Sequence, residues 1–328
     1  MMYKQKIKKY NITERVEVKI YSFVKGSKMK IGIDLGGSHI AIGVVEKDGR
    51  IIEKNEKRIK GEEKKKVKET IEQYIEENVE NLSKKYEITE IGIAIPGTLK
   101  NNVVVKSVNL GLKNYEIVNI LKEKIDIPIK IRNDAKCAAL AESEYGCLKK
   151  YKRSVFLTLG TGIGGAVLIN GKLLDTGELP GCEFGHMVIK ENGILCECGK
   201  KGCFEKYASM KSFKTKLRKT LGVTDRVSGK ELFEILRSNK KENEDYTEIE
   251  KVVEEFIEDL SIGISNLIDI FEPEAIGIGG SFVFFEEVFL ERLEQKLLEK
   301  NMLFNPRKEI ILKTALLKND AGIIGATL

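Results

Sequence analysis

The chain writes the same strand-turn-strand pattern twice. Residues 31 to 52 read IGIDLGGSHIAIGVVEKDGRII, and residues 155 to 174 read VFLTLGTGIGGAVLINGKLL. Each is an apolar run, a glycine-rich turn, a second apolar run, a short turn and a third run. The short turns are Asp48-Gly49 and Asn170-Gly171, dipeptides that accept the positive φ angles of a two-residue hairpin. The spacing therefore predicts two three-stranded meanders. After each come helical patterns and further short apolar runs, at Ile91 to Ile95, Ile129 to Ile131, Ala275 to Ile278 and Ile310 to Leu312. Such alternation calls for α/β layers, with helices covering a mostly parallel sheet. At 328 residues the chain has room for two such lobes, each with its own core, and a cleft between them. Helix starts are legible at Ser228 with Glu231 and at Thr247 with Glu250, both at capping-box spacing.

A glycine-rich turn between strands lets backbone approach a ligand closely and aims successive N–H groups into one concavity, which suits phosphate. The first turn holds Gly36, Gly37 and Ser38, and the second holds Thr161, Gly162 and Gly164. Asp34 ends the strand before the first turn, where an unpartnered carboxylate is expensive; a Mg²⁺-phosphate partner accounts for it. Neither turn has the G-K-[ST] ending of a Walker A loop. A Rossmann reading fails as well, because each first strand leads into another strand and not into a helix.

The run EFGHMVIKENGILCECGKKGCFE, residues 183 to 205, concentrates chemistry in another way. It holds one of two histidines and three of six cysteines. His186, Cys196, Cys198 and Cys203 offer one imidazole and three thiolates, a donor set suited to a closed tetrahedral zinc site. Gly199 and Gly202 stand where a tight chelate loop needs unusual backbone angles. Single intracellular cysteines usually pack as small hydrophobes, but three among Gly, Lys and Glu do not all fit a core. Disulfides are the weaker alternative in a chain without a secretory signal.

Residues 127 to 146, IPIKIRNDAKCAALAESEYG, run from a strand into a helix with Asn133 and Asp134 at the junction. Asp134 reads in two ways. It is a natural N-cap, and it is also a carboxylate at a strand end facing a cleft, where α/β proteins bind ligands. There it can take a proton from a sugar hydroxyl during phosphoryl transfer, and at an ordinary carboxylate pKa of about 3.9 it is ionised at neutral pH. Asn133 offers a donor and an acceptor to vicinal hydroxyls.

These motifs together resemble the ROK family of sugar kinases within the actin-like ATPase superfamily, and its bacterial glucokinases most. The likeness covers nearly all of the chain from Met29. IDLGGSHI and LGTGIGGA match the two phosphate loops, IAIPG the turn bordering the sugar, and RNDAKCAALAE the segment with the catalytic aspartate. EFGHM followed by CECGKKGCFE matches the sugar and zinc motif. IGIGGS and NDAGIIGA resemble the adenosine-side glycine turn, at Gly280, and the final helix that packs back on the first lobe. The resemblance implies that Asp134 is the base, that Gly97, Asn133, Glu183, His186 and Glu205 hold the sugar, and that ATP, Mg²⁺ and a structural Zn²⁺ serve the reaction. It implies lobes of residues 29–133, completed by 318–328, and of 134–317. Glucose 6-phosphate is the leading product, with N-acetylmannosamine, fructose or allose as rival substrates; the contacts that choose among them are expected in loop backbones around Gly97 to Leu112.

The sequence also departs from the family pattern. Ser38 and His39 stand where threonine and lysine are usual; serine keeps the hydroxyl, and His39 reads as a strand residue. FVFFEEVF, after the Gly280 turn, is unusually aromatic and reads as helix core. Residues 1–28 lie ahead of the likeness and read as an extension without catalytic consequence. The family includes sugar-responsive repressors, whose added helix-turn-helix is not matched by the strand-like alternation of VEVKIYSF.

Composition excludes other classes. A net charge of +6 arises from lysines mixed among glutamates, as in EEKKKVKETIEQYIEENVE, a pattern of solvated helix faces and not of a nucleic-acid stripe. No apolar run of about twenty residues reads as a membrane span. A cytoplasmic homodimer without nucleic-acid or membrane partners is expected.

Overall fold

In a computed structural model the chain is described over residues 28–59, 64–177, 181–238, 245–299 and 311–328. The first sheet collects β1 (Met29–Leu35), β2 (His39–Val45), β3 (Ile51–Arg58) and β4 (Ile88–Ile95). A small separate sheet follows, made of β5 (Thr98–Lys100), β6 (Val103–Ser107) and β7 (Leu112–Tyr115), and then β8 (Ile129–Asn133) returns to the first. The first sheet has the order β3-β2-β1-β4-β8. The meander pairs antiparallel, while β4 and β8 add in parallel.

The second sheet repeats this plan. Its members are β9 (Arg153–Leu159), β10 (Ile163–Ile169), β11 (Lys172–Leu173), β12 (Ala275–Gly280) and β13 (Leu312–Thr314), in the order β11-β10-β9-β12-β13. The duplicated sequence pattern is thus a duplicated sheet. The turns behave as their residues dictate: Gly49, Asn170 and Gly171 all have positive φ. Ile310 of the fourth apolar run lies outside the described residues.

Helices cover the sheets. On the first, α1 (Lys64–Ser83) buries Val67, Ile71, Ile75, Val79 and Leu82, a spacing of three or four residues that leaves its charges in water. Beyond it, α2 (Ile117–Lys122) and α3 (Asp134–Glu144) follow. The second sheet packs against α4 (Glu205–Ala208), α5 (Met210–Thr220), α6 (Gly229–Ser238), α7 (Asp245–Phe271) and α8 (Glu286–Glu299). The aromatic run does pack as core: Phe282, Phe285 and Phe289 are buried with Phe213 and Phe256, while Phe284 is 56% exposed.

The last helix, α9 (Ala321–Ala326), returns to the first sheet. A methyl group at Gly32 would overlap the Ile323 carbonyl, and one at Gly92 the Ala326 carbonyl. On its other side α9 meets α3, where Gly325 lies against the Cys137 backbone. In turn α3 reaches the second sheet, with Ala135 against Gly164 of β10. The pair α3 and α9 therefore stands between the two sheets. Among the described residues no helix is long and apolar enough to cross a membrane.

The capping signals divide. Ser228 and Glu231 exchange both bonds of a capping box at the start of α6. Thr247 is no cap, because α7 already runs from Asp245. The stretch VEVKIYSF and the rest of residues 1–27 lie outside the described residues.

Candidate active site

The parallel strands β1, β4 and β8 end together, so Asp34, Gly97, Asn133 and Asp134 gather at their carboxyl ends, the edge where α/β sheets bind ligands. Asn133, and not Asp134, is the N-cap of α3. Its Oδ1 accepts from the backbone N–H groups of Ala135 at 3.0 Å and Lys136 at 3.2 Å. Its Nδ2 donates to the Gly97 carbonyl at 3.2 Å, which leaves one amide hydrogen for a ligand. Gly97 itself has a φ of 116°, and a side chain there would overlap the Lys106 carbonyl of β6. The small sheet is thereby fastened beside Asn133.

With the cap supplied by its neighbour, Asp134 is the first residue of α3, and its Oδ1 accepts from Ala135 N at 2.9 Å. Its pKa is not the ordinary one. Burial raises it against the pull of those backbone donors, and the Glu183 carboxylate pushes the same way. Asp34 is pushed up to about 7, chiefly by burial and then by the Asp134 carboxylate, with Lys54 opposing. Two carboxylates thus share one poorly hydrated region. Neighbouring charges of like sign at a strand-end cleft mark functional sites more often than they serve stability.

Both glycine turns border this region. Gly36 N donates to the His39 carbonyl at 2.9 Å, and Ser38 Oγ lies 2.7 Å from His39 Nδ1. His39 opens β2 with an exposed side chain. In the second turn Gly160 N donates to the Gly162 carbonyl at 3.0 Å, and Thr161 forms its exposed tip. Gly164 touches Ala135, next to Asp134, and Gly162 lies against the Glu205 carboxylate. The turn at Gly280, with a φ of 73°, packs on the Leu159 backbone that leads into the second loop.

Residues 181 to 208 fold onto the same edge. Glu183 precedes a single 3₁₀ turn, Phe184–His186, whose Gly185 abuts the Ile163 carbonyl. Short bridges at Val188–Cys203 and Leu195–Lys201 close the cysteine loop, and Gly199 and Gly202 take φ of 92° and 82°. The donor atoms of His186, Cys196, Cys198 and Cys203 all lie within 4.8 Å of one another. Cys198 and Cys203 Sγ are 3.5 Å apart, and Cys196 Sγ is 3.7 Å from His186 Nδ1. Ligands about 2.3 Å from a tetrahedral zinc stand roughly 3.8 Å from each other, so the donor set fits that ion. Without a metal, burial pushes the Cys196 thiol up to about 12, a cost that binding a cation removes. His186 Nδ1 also stands 3.7 Å from Glu205 Oε1. The sequence-selected residues therefore form one continuous belt, from Gly97 through Asn133, Asp134 and the second glycine turn to Glu205, His186 and the cysteines.

The sequence reading missed the small sheet, and with it Asn109, whose side chain lies against Gly37 of the first turn. The signal was present in Asn101-Asn102, both at positive φ between β5 and β6, since asparagine tolerates that conformation better than other side chains. The segment around Gly97 to Leu112 accordingly carries β5, β6 and the start of β7, joined by turns at 101–102 and 108–111.

Two matching sheets with paired glycine turns define the two-lobed actin-like ATPase fold. A profile of the ROK family matches residues 30–328, and the chain belongs to that family. It is 30% identical to a glucokinase of Thermotoga maritima over 90% of this chain and 95% of that protein. It is also 30% identical to a xylose repressor of Caldicellulosiruptor bescii, over 90% of this chain and 76% of the repressor. A ROK family glucokinase from Streptomyces griseus, solved in complex with glucose and AMPPNP, superposes with a TM-score of 0.76 at 25% identity, covering 91% of this chain and 97% of that one.

Proposed function

We propose that this protein phosphorylates a hexose at its 6-hydroxyl with ATP, and that glucose is the preferred substrate. One observation carries the reading: Asp134 stands on the belt between the sugar-side carboxylates and both glycine turns, with its pKa raised by burial. A base works best when its pKa approaches the operating pH. Asp134 takes the proton as the hydroxyl oxygen attacks the γ-phosphorus; the bond to the bridging oxygen breaks and ADP leaves. Glu183 and Glu205 accept from sugar hydroxyls, Asn133 donates its remaining amide hydrogen, and Gly97 supplies backbone beside it. His186 presents its second ring nitrogen to the sugar while Nδ1 faces the thiols. Zinc held by His186, Cys196, Cys198 and Cys203 would fix that tautomer and order the loop. On the nucleotide side, Gly36, Gly37, Ser38, Thr161, Gly162 and Gly164 cradle phosphates, Gly280 borders the adenosine, and Asp34 suits the magnesium that accompanies ATP. The two lobes that would enclose the substrates are 29–133 with 318–328 and 134–317.

The repressor relative favours a second reading, in which the same site senses a sugar without turning it over. A sensor has no need of Asp134 or of two phosphate turns, which supports the kinase. The test is coupled ADP release with Mg-ATP across hexoses and N-acetylhexosamines. Turnover led by glucose is expected; sugar binding without ADP release on any member supports the sensor.

A further inference from the structure

Lys214 has no part in the site so far, yet it lies between the elements that would hold a nucleotide. It sits on α5, whose first turn is tied to the second glycine turn by Lys211 N donating to the Gly160 carbonyl at 3.0 Å. One turn later, Lys214 Nζ donates to Ser281 Oγ at 3.1 Å, immediately after Gly280. Its amine is also 5.4 Å from the centroid of the Phe285 ring. On its far side the Lys214 stem and amine meet Gly229, the first residue of α6.

The electrical setting of this amine is unusual. Among the described residues no carboxylate lies within ion-pair distance of it. Its nearest charged influence is Arg218, of like sign, whose guanidinium is spent on the Val227 carbonyl at 2.7 and 3.0 Å. The positive end of α6 adds to the same side. Glu231 does not compensate, because its carboxylate is turned onto Ser228 N in the capping box. Burial and Arg218 together depress the Lys214 pKa. A half-buried ammonium with neither a carboxylate nor full hydration costs stability. Placing one between two glycine turns makes sense where an anion is to arrive.

We propose that Lys214 is a nucleotide-binding residue that pairs with a phosphate oxygen of the bound adenine nucleotide, bridging the second glycine turn and the Gly280–Ser281 turn. The assignment rests on the kinase reading above and names a group in that site for which neither the glycine turns nor the sugar belt accounts. Ser281 Oγ accepts one hydrogen of the amine and orients it, leaving two further N–H donors for a phosphate oxygen.

The test uses the full chain with Lys214→Met, which keeps the apolar stem and removes the charge, and with Lys214→Arg, which restores it. A hydrogen bond to a charged partner corresponds to about a 10- to 100-fold change in affinity. Calorimetry with Mg-ADP should show that loss for Lys214→Met and recovery of most of it for Lys214→Arg. The KM for ATP should rise by a similar factor, while sugar affinity stays close to that of the wild type and the melting temperature without nucleotide does not fall, because the uncompensated charge is gone. Unchanged ADP affinity in Lys214→Met overturns the inference while leaving the kinase reading intact. So does a loss shared equally by ADP and adenosine, which marks a packing role. Wild-type protein that binds no ADP overturns both.

Discussion

Asp34 on β1 and Asp134 just after β8 share the carboxyl edge of the first sheet, with β4 between their strands, but would do different work, and their substitutions separate them. Replacing Asp134 by Asn preserves size and leaves the Asn133 cap in place, so folding and sugar affinity should hold. It removes the proton acceptor, and loss of a general base lowers turnover by about 10²- to 10⁴-fold. Steady-state kinetics beside sugar titration check this; a variant retaining more than about a tenth of wild-type turnover contradicts it. For Asp34 the signature is in stability. Its carboxyl keeps its proton to about pH 7 in the folded chain against an ordinary 3.8. Between those values the native state binds more protons than the unfolded one, so stability falls as pH rises across the window. In denaturant titrations without nucleotide, the wild type should lose stability from pH 5 to 8 relative to Asp34→Asn, by on the order of a few kcal/mol. Parallel curves for the two proteins would show that Asp34 is not the group held protonated.

At the scale of elements, the cysteine loop is built around its donors. Beyond its isolated bridges and two left-handed glycines, little regular structure holds residues 188 to 203 together. Cys198→Ser should therefore reduce bound zinc from about one per chain, the yield of one four-donor set, and weaken sugar binding along with stability. Metal analysis and sugar titration of the two proteins test this; a zinc-free preparation with full sugar affinity contradicts it. The loop was legible because cysteine and histidine spacing states chemistry directly. The meanders were legible because Asp-Gly and Asn-Gly dictate the turns. Strands of three to five residues, such as Thr98–Lys100, carry too few side chains to display a period. The Asn133 cap was hidden by Asp134 beside it, since either residue can cap and only the backbone decides. Thr247 misled for a related reason: capping-box residues three apart also occur inside a helix.

Over the whole molecule, the two halves meet through α3 and α9, and glycines set how closely they meet. Adding a methyl group at Gly92 drives it into the Ala326 backbone, whereas one at Gly160 meets open space. Gly92→Ala should cost about 1–3 kcal/mol, as overpacking does, and Gly160→Ala should cost far less in nucleotide-free denaturant titrations. Equal losses would mean that α9 does not seat tightly on β4. The duplicated sheets were foreseeable from the repeated sequence. The seating of α9 was not, because it depends on glycines whose importance appears only when the helix arrives on them. The arrangement places Asp134 on α3, between the first sheet and the second, so chemistry and lobe contact share one helix. The central claim is sugar phosphorylation at that helix, and product analysis tests it most directly. With Mg-ATP and glucose, ³¹P NMR should show ADP and a hexose 6-phosphate appearing in equal amounts, with neither formed from 6-deoxyglucose. ADP appearing without sugar phosphate, or equally with the 6-deoxy sugar, would contradict the account.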